Sequence, residues 1–335
     1  MKKRVWIYGD YQVAKILNDV DWQKELEIPP TAGDVKAPEE FGEEAWEYQS
    51  GITNKEGIST PWKHFDFKFK PATFNIFMGQ SGSGKSQITQ QIALHAVRDR
   101  AATVPQKVLI WSAEMPTPAV VSTFAKLACG VENPTRAYFD KALEWMGDRI
   151  WVYQRNHKVS MDEIIGISRF AQRELGVTMV VVDSLVKIHS GANAANFLMV
   201  QTDMADRFAV TARDTGLTFL LVAHARKAET EKSRIDKFSL KGSGGITDMA
   251  STVFAVNRNI TKSEVLKGMK GKRSDQEVED VLAQPDTFLE CLKNREGGDM
   301  PAISLYFNKA GQFVDKPGKF IHIKELDDDT ESELH

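Results

Sequence analysis

The sequence predicts an α/β protein whose core is a mostly parallel sheet flanked by helices, with antiparallel strands toward the C-terminal end. Three observations predict it. Runs such as Met179-Val180-Val181-Val182 and Thr218-Phe219-Leu220-Leu221-Val222-Ala223 are apolar almost throughout, as strands covered on both faces must be. Between such runs lie longer segments with apolar residues at helical spacing. Finally, Gly79-Gln80-Ser81-Gly82-Ser83-Gly84-Lys85-Ser86 matches G-x-x-x-x-G-K-[ST] at every fixed position, a pattern that belongs between a strand and a helix.

The elements follow in order. Residues 1–60 read as an acidic arm or linker, with Pro29-Pro30 and Gly33 breaking it and Trp6, Trp22, Trp46 and, at its end, Trp62 studding it. Pro38 to Tyr48 suits a short helix, with Phe41, Ala45 and Tyr48 on one face. Such an arm is either a loosely docked leader or an inter-subunit docking segment. The compact domain is expected over residues 61–322. Thr73 to Met78 reads as a buried strand, and Ser86 to Val97 as a helix with Ile88, Ile92, Ala93 and Ala96 on one face. Lys107 to Ser112 and Ile150 to Tyr153 are strands, and Pro118 to Ala128 is a helix. Ser160-Met161-Asp162-Glu163 is a capping box that opens a helix closed by Gly176. Phe197 to Thr215 is a helix ended by Gly216. Thr252 to Val256, Thr287 to Leu292 and Ala302 to Phe307 are strands, and a turn at Lys309-Ala310-Gly311 leads into Gln312-Phe313-Val314. Residues 323–335 form an acidic tail expected to be disordered.

Composition narrows the function. The 335 residues carry a net charge of −3, so no global basic field marks a nucleic-acid partner and any such site must be local. The two cysteines, Cys129 and Cys291, are too few and too far apart for a zinc module or a disulfide framework. No apolar run is long enough to cross a bilayer, and no signal peptide follows the basic start. The expectation is a cytoplasmic protein, in a host cytoplasm if it is viral, with no membrane partner.

The glycine-rich segment implies nucleoside triphosphate binding. Its glycines turn backbone N–H groups toward an oxyanion, Lys85 reaches the outer phosphates, and Ser86 offers a hydroxyl to Mg²⁺. Hydrolysis also needs a metal carboxylate, a group that orients water and a positive charge near the transferred phosphoryl. Asp183, at the end of the Met179–Val182 strand, suits the metal carboxylate. Glu114, just beyond the Lys107–Ser112 strand, suits the water-polarising base. His224 ends the Thr218–Ala223 strand at the same sheet edge, where it is either a structural histidine or a sensor of the outer phosphate.

Five further blocks accompany the phosphate-loop segment. They are Trp111-Ser112-Ala113-Glu114-Met115; Val180-Val181-Val182-Asp183-Ser184; Leu221-Val222-Ala223-His224-Ala225-Arg226; Lys241-Gly242-Ser243-Gly244-Gly245-Ile246 running to Val256-Asn257-Arg258-Asn259; and Leu292-Lys293-Asn294-Arg295 with Phe307-Asn308-Lys309. On these blocks Pro61 to Val314 resembles the RecA-type motor domain of ring-shaped replicative DNA helicases, the DnaB, Twinkle and phage primase-helicase group.

The resemblance implies a RecA-like P-loop core and an ATP-dependent helicase. It would move 5′-to-3′ on single-stranded DNA as a hexameric ring, using ATP or another NTP with Mg²⁺. It makes Glu114 the catalytic base, Asp183 and Ser86 the Mg²⁺ ligands, and His224 the phosphate sensor. Arg295 becomes an arginine finger acting on a neighbouring subunit, with Lys293 beside it. Arg258 and Phe307 become the pair that sandwiches the base, although Phe307 suits a core position equally. Arg226, Lys227, Lys232, Arg234, Lys237 and Lys241 become the DNA-binding cluster, despite the interspersed Glu229, Glu231 and Asp236. His189 to Asn196 is a second, less basic candidate loop. The tail or the arm is placed to hold a replicative polymerase or a primase at the fork, although a solubilising tail fits as well.

Against that resemblance, no primase half is expected among these residues, and a charged insertion lies between Asn259 and Asp286. Two rivals share much of the pattern. One is a RecA-type recombinase or recombination mediator. The other is an ATP-gated loader or scaffold that does not unwind.

Overall fold

The structure is a computed structural model that describes residues 37–50, 57–98, 105–154, 159–184, 197–224, 234–235, 245–269, 271, 273–295, 297–323 and 326. Its strands are β1 (Ile58–Ser59), β2 (Lys68–Phe69), β3 (Phe74–Gly79), β4 (Val108–Ser112), β5 (Ile150–Val152), β6 (Met179–Asp183), β7 (Thr218–His224), β8 (Thr252–Arg258), β9 (Thr287–Asn294), β10 (Ala302–Phe307) and β11 (Phe313–Val314). β1 and β2 form a small antiparallel pair. The other strands make one nine-stranded sheet in the order β11-β10-β9-β8-β3-β7-β6-β4-β5. From β8 to β5 every pairing is parallel; from β8 to β11 every pairing is antiparallel. β8 therefore belongs to both halves, and the Thr252–Val256 run proves to be a central strand.

Alternation along each strand divides the core into two layers. Phe77, Val181, Leu220 and Phe254 face α2 (Lys85–Arg98), α3 (Thr117–Cys129) and α4 (Arg136–Met146). Ile76, Met78, Val180 and Leu221 face α5 (Met161–Leu175) and α6 (Phe197–Thr215). The first layer is fastened by aromatics: Phe254 stacks on Phe77 at 4.8 Å and meets the Phe67 ring edge-on at 5.0 Å. Each such contact contributes roughly 0.5–1.5 kcal/mol beyond the area it buries.

Local chemistry sets the helix ends. Ser160 Oγ accepts from Glu163 N at 3.1 Å, and Gly176 closes α5 with a left-handed φ of 70°. The capping box is modified, because the Glu163 carboxylate accepts from the buried Tyr153 hydroxyl at 2.5 Å. Gly130 ends α3 in the same left-handed conformation, which costs a glycine little.

The expected arm helix is a 3₁₀ turn at Pro38–Phe41 running into α1 (Gly42–Gln49). Trp46 on it is 64% exposed within the single chain. Packing begins by Ile58, which is buried and pairs with Phe69. At the other end Ile323 and Leu326 join the first core layer, so the packed body reaches past residue 322. The acidic stretch from 327 onward lies outside the described residues. The insertion is a helical hairpin of α8 (Ile260–Leu266) and α9 (Asp275–Leu282), following the short α7 (Gly245–Met249). Its small core is Val265, Val278 and Val281. Among the described residues no helix is long and apolar enough to cross a membrane.

Candidate nucleotide-hydrolysis site

Parallel pairing brings the carboxyl ends of four strands to one edge. Gly79 of β3 lies opposite His224 of β7. Val222 of β7 pairs with Asp183 of β6, and Asp183 pairs with Ser112 of β4. Residues far apart in sequence thus converge because each ends, or closely follows, a buried strand. Open α/β sheets bind ligands at such an edge.

The phosphate loop is shaped by packing as well as by its glycines. A Cβ on Gly79 would lie 2.4 Å from Ser83 Oγ and 2.8 Å from the Val256 carbonyl. A Cβ on Gly84, whose φ is +95°, would lie 2.5 Å from the Phe313 ring. The Phe313 backbone is in turn gripped. Its N–H donates to Gln91 Oε1 at 2.8 Å, and its carbonyl accepts from Gln91 Nε2 at 2.7 Å and from Trp62 Nε1 at 2.8 Å. The antiparallel strands therefore brace the loop from below, a function that no motif disclosed.

Lys85 is 5% exposed and donates to the Gln80 carbonyl at 2.7 Å. Burial lowers its pKa, against the charges of Glu114 and Asp183. Asp183 is 2% exposed, and neither carboxylate oxygen has a well-formed hydrogen bond. Burial raises its pKa; the nearby Ser86 hydroxyl, which interacts with it without ideal geometry, works against that rise, and the Glu114 charge adds to it. An unsatisfied buried carboxylate is costly, and its position beside Ser86 and Lys85 fits a cation site. The unpartnered, buried Ser83 Oγ points the same way, toward a ligand in the loop. Among the described residues no cluster of three His, Cys, Asp or Glu side chains forms a protein-only metal site. This fits Mg²⁺, which usually takes one or two protein ligands plus substrate phosphates.

Glu114 is held in place from two sides. His224 Nε2 lies 2.6 Å from Glu114 Oε1, and Ser184 Oγ donates to the same oxygen at 2.9 Å. An ionised carboxylate only accepts, so Nε2 carries the proton in this pair. Burial pushes the Glu114 pKa up, but the His224 and Ser184 hydrogen bonds and the His224 and Lys85 charges outweigh it and the net shift is downward. Ser184 had no assigned part in the sequence reading, although it directly follows Asp183.

The remaining candidates are distributed as follows. Arg258 ends β8 beside the loop; its guanidinium would lie 3.6 Å from a Cβ on Gly82. Phe307 is 52% exposed, with its ring 5.0 Å from that of Phe313 and its N–H bonded to Asp286 Oδ2 at 2.9 Å. It is therefore not a core residue. Arg295 lies at the opposite edge of the sheet. Its N–H bonds to the carbonyl of Ser251, just before β8, whereas Val256 near the far end of β8 is the residue beside Gly79. At about 3.3 Å per residue the two edges are roughly 17 Å apart. Lys293 Nζ donates to the Thr247 and Asp248 carbonyls at 2.5 and 3.0 Å. Burial, followed by the Arg295 charge, lowers its pKa. Arg234 pairs with Glu290 at 2.8 Å and lies over the Phe288 ring at 5.0 Å. Arg226, Lys227, Lys232, Lys237, Lys241 and the His189–Asn196 loop lie outside the described residues.

The AAA domain family matches residues 68–230, just under half of the chain. The match takes in the phosphate loop, Glu114, Asp183 and His224. A solved ATPase domain is 14% identical with a TM-score of 0.64, over 82% of this chain and 98% of that one. A DnaB-like replicative helicase, solved with attention to its interactions with primase, is 16% identical with a TM-score of 0.60. That alignment covers 84% of this chain and 67% of the other. No curated protein sequence matches the chain. The fold is the RecA-like fold of these two structures, and the matched residues 68–230 span β3 to β7 and the site edge.

Proposed function

We propose that the chain is an ATP-dependent DNA helicase motor of replicative type, working as a homo-oligomeric ring on single-stranded DNA. One observation carries the reading: Lys85, Ser86, Asp183, Glu114 and His224 share one sheet edge, while Arg295 sits at the other. An arginine side chain is far too short to span that separation. The finger therefore serves an adjacent copy, and hydrolysis requires assembly.

Each residue then has a defined task. The phosphate loop cradles the outer phosphates, and Lys85 exchanges its bond to the Gln80 carbonyl for them. Ser86 and Asp183 hold Mg²⁺, which when bound neutralises charge on the phosphate oxygens. Glu114, kept ionised by His224 and Ser184, orients and polarises the attacking water. His224 touches Glu114 directly, so a change at the outer phosphate passes through one contact to the start of the basic stretch Arg226–Lys241. Cations in that stretch grip the DNA backbone without reading bases. Arg258 and Phe307 flank the base, and stacking between a guanidinium and an aromatic ring suits a purine. By resemblance the ring is hexameric and moves 5′-to-3′ in the cytoplasm, and the tail or arm meets a polymerase or primase.

The test is strand separation on a forked duplex with ATP and Mg²⁺, beside Lys85→Ala. Unwinding by the wild type alone supports the helicase, and exchanging the single-stranded arm gives its polarity. DNA-stimulated hydrolysis without unwinding, on filaments rather than rings, overturns it in favour of a recombinase.

A further inference from the structure

The described residues of the basic stretch that follows His224 are Arg234 and Ile235, and the way they are held is specific. Ile235 is 4% exposed and packs on Ala255 of β8 and Leu292 of β9. Both polar groups of its backbone are taken by one side chain. Asn257 Oδ1 accepts from Ile235 N at 2.9 Å, and Asn257 Nδ2 donates to Ile235 O at 2.9 Å. Asn257 Nδ2 also lies 3.3 Å from Glu290 Oε2, which accepts from Arg234 Nε at 3.0 Å. Arg234 completes the clamp by lying over Phe288.

The clamp stands beside the phosphate loop. Val256, the residue before Asn257, is the partner of Gly79 in the β3–β8 register. Its carbonyl is one of the atoms that forbid a side chain on Gly79. Gln80 of the loop, Arg234, Asn257 and Phe288 line one common pocket. An asparagine at the end of a central strand would ordinarily be an unremarkable polar terminus. Here its amide substitutes for a strand partner and holds Ile235 by both backbone groups.

We propose that Asn257, acting with Glu290 and Arg234, is a positioning device that holds Arg234 and Ile235 on β8, the neighbour of the phosphate-loop strand, and so couples DNA binding to hydrolysis. The proposal rests on the reading of the Arg226–Lys241 stretch as the DNA contact. It also reassigns Arg234, from a cation that touches DNA to one that locks the stretch through Glu290.

Glu290→Gln separates these roles, because Glu290 lies outside the hydrolytic site. The readout is ATP hydrolysis with and without a dT oligonucleotide, with thermal melting as the check on folding. The clamp predicts basal hydrolysis within about twofold of wild type, and a dT concentration for half-maximal stimulation raised about tenfold, the equivalent of about 1.4 kcal/mol. If Arg234 instead touches DNA, freeing it from Glu290 lowers that concentration, and the proposal fails. An equal fall in basal and stimulated rates marks a merely structural role and also overturns it. Asn257→Asp keeps the bond from Ile235 N, loses both donations and brings a second charge to Glu290. It is expected to raise the half-maximal dT concentration further, and it supplies the test if Glu290→Gln does not fold. A wild type indifferent to dT overturns the DNA reading itself; a stimulated wild type with an unchanged Glu290→Gln overturns the clamp alone.

Discussion

At the level of single residues the site shows chemistry set against stability. Among the described residues of the edge, Glu114 is the carboxylate whose surroundings favour its charge. Glu114→Gln should lower kcat by roughly 10²–10⁴-fold, the range general bases contribute, while ATP still binds; a hydrolysis assay beside a nucleotide titration checks both. Asp183 is the opposite case. Its pKa is raised, chiefly by burial, from an ordinary 3.8, so the folded state holds its proton more tightly than the unfolded state. The stability this gives is fully present below the ordinary aspartate value and is lost as pH rises through the folded pKa. At neutral pH, without divalent ions, Asp183→Asn should therefore raise the melting temperature by roughly 2 °C or more. Near pH 3.8 the gain should vanish. The same variant should lose Mg²⁺-dependent hydrolysis. A lower melting temperature at neutral pH would contradict the buried-charge account.

Among the elements, the phosphate loop depends on strands that carry none of the chemistry. Gly84 combines a left-handed φ with a Cβ position already occupied by Phe313. Gly84→Ala should weaken ATP binding and cost about 1–3 kcal/mol from backbone strain alone. Phe313→Ala should cost about 3–5 kcal/mol by leaving a cavity under the loop. Urea unfolding with nucleotide titration measures both pairs of effects. The hairpin α8–α9 fills the Asn259–Asp286 insertion, and Asp286 links it to the site. Its Oδ1 pairs with Lys262 at 3.0 Å and its Oδ2 accepts from Phe307 N. The insertion is thus joined to the backbone of the residue proposed to flank the base.

Across the molecule as a body, the sheet separates the edge that carries the phosphate loop from the edge that carries Arg295. If Arg295 acts on a neighbour, Arg295→Ala and Lys85→Ala proteins are each inactive alone. When they are mixed, a subunit with an intact phosphate site can meet a neighbour with an intact finger. Hydrolysis should recover to on the order of one tenth to one quarter of wild type, since only some interfaces pair correctly while the finger itself is worth 10³–10⁵-fold. No recovery in rings shown to contain both variants would remove Arg295 from that role.

How much was legible in the sequence depended on the range of the interaction. The phosphate loop could be read directly because its pattern is contiguous: the glycines, Lys85 and Ser86 lie within a single short segment. That Asp183, Glu114 and His224 meet at one edge could be read because a buried parallel strand must deliver the residue at its carboxyl end there. Strand order, the bracing of Gly84 by Phe313, the grip of Ser184 on Glu114 and the capture of Arg234 by Glu290 could not. Each joins residues whose meeting depends on which strands become neighbours, and local pattern says little about that. The order of amino acids sets which reactive groups the chain carries and which strand ends deliver them. Folding chooses the edge each group occupies, because strand order and register alone bring distant side chains within a few ångströms or hold them a sheet's width apart.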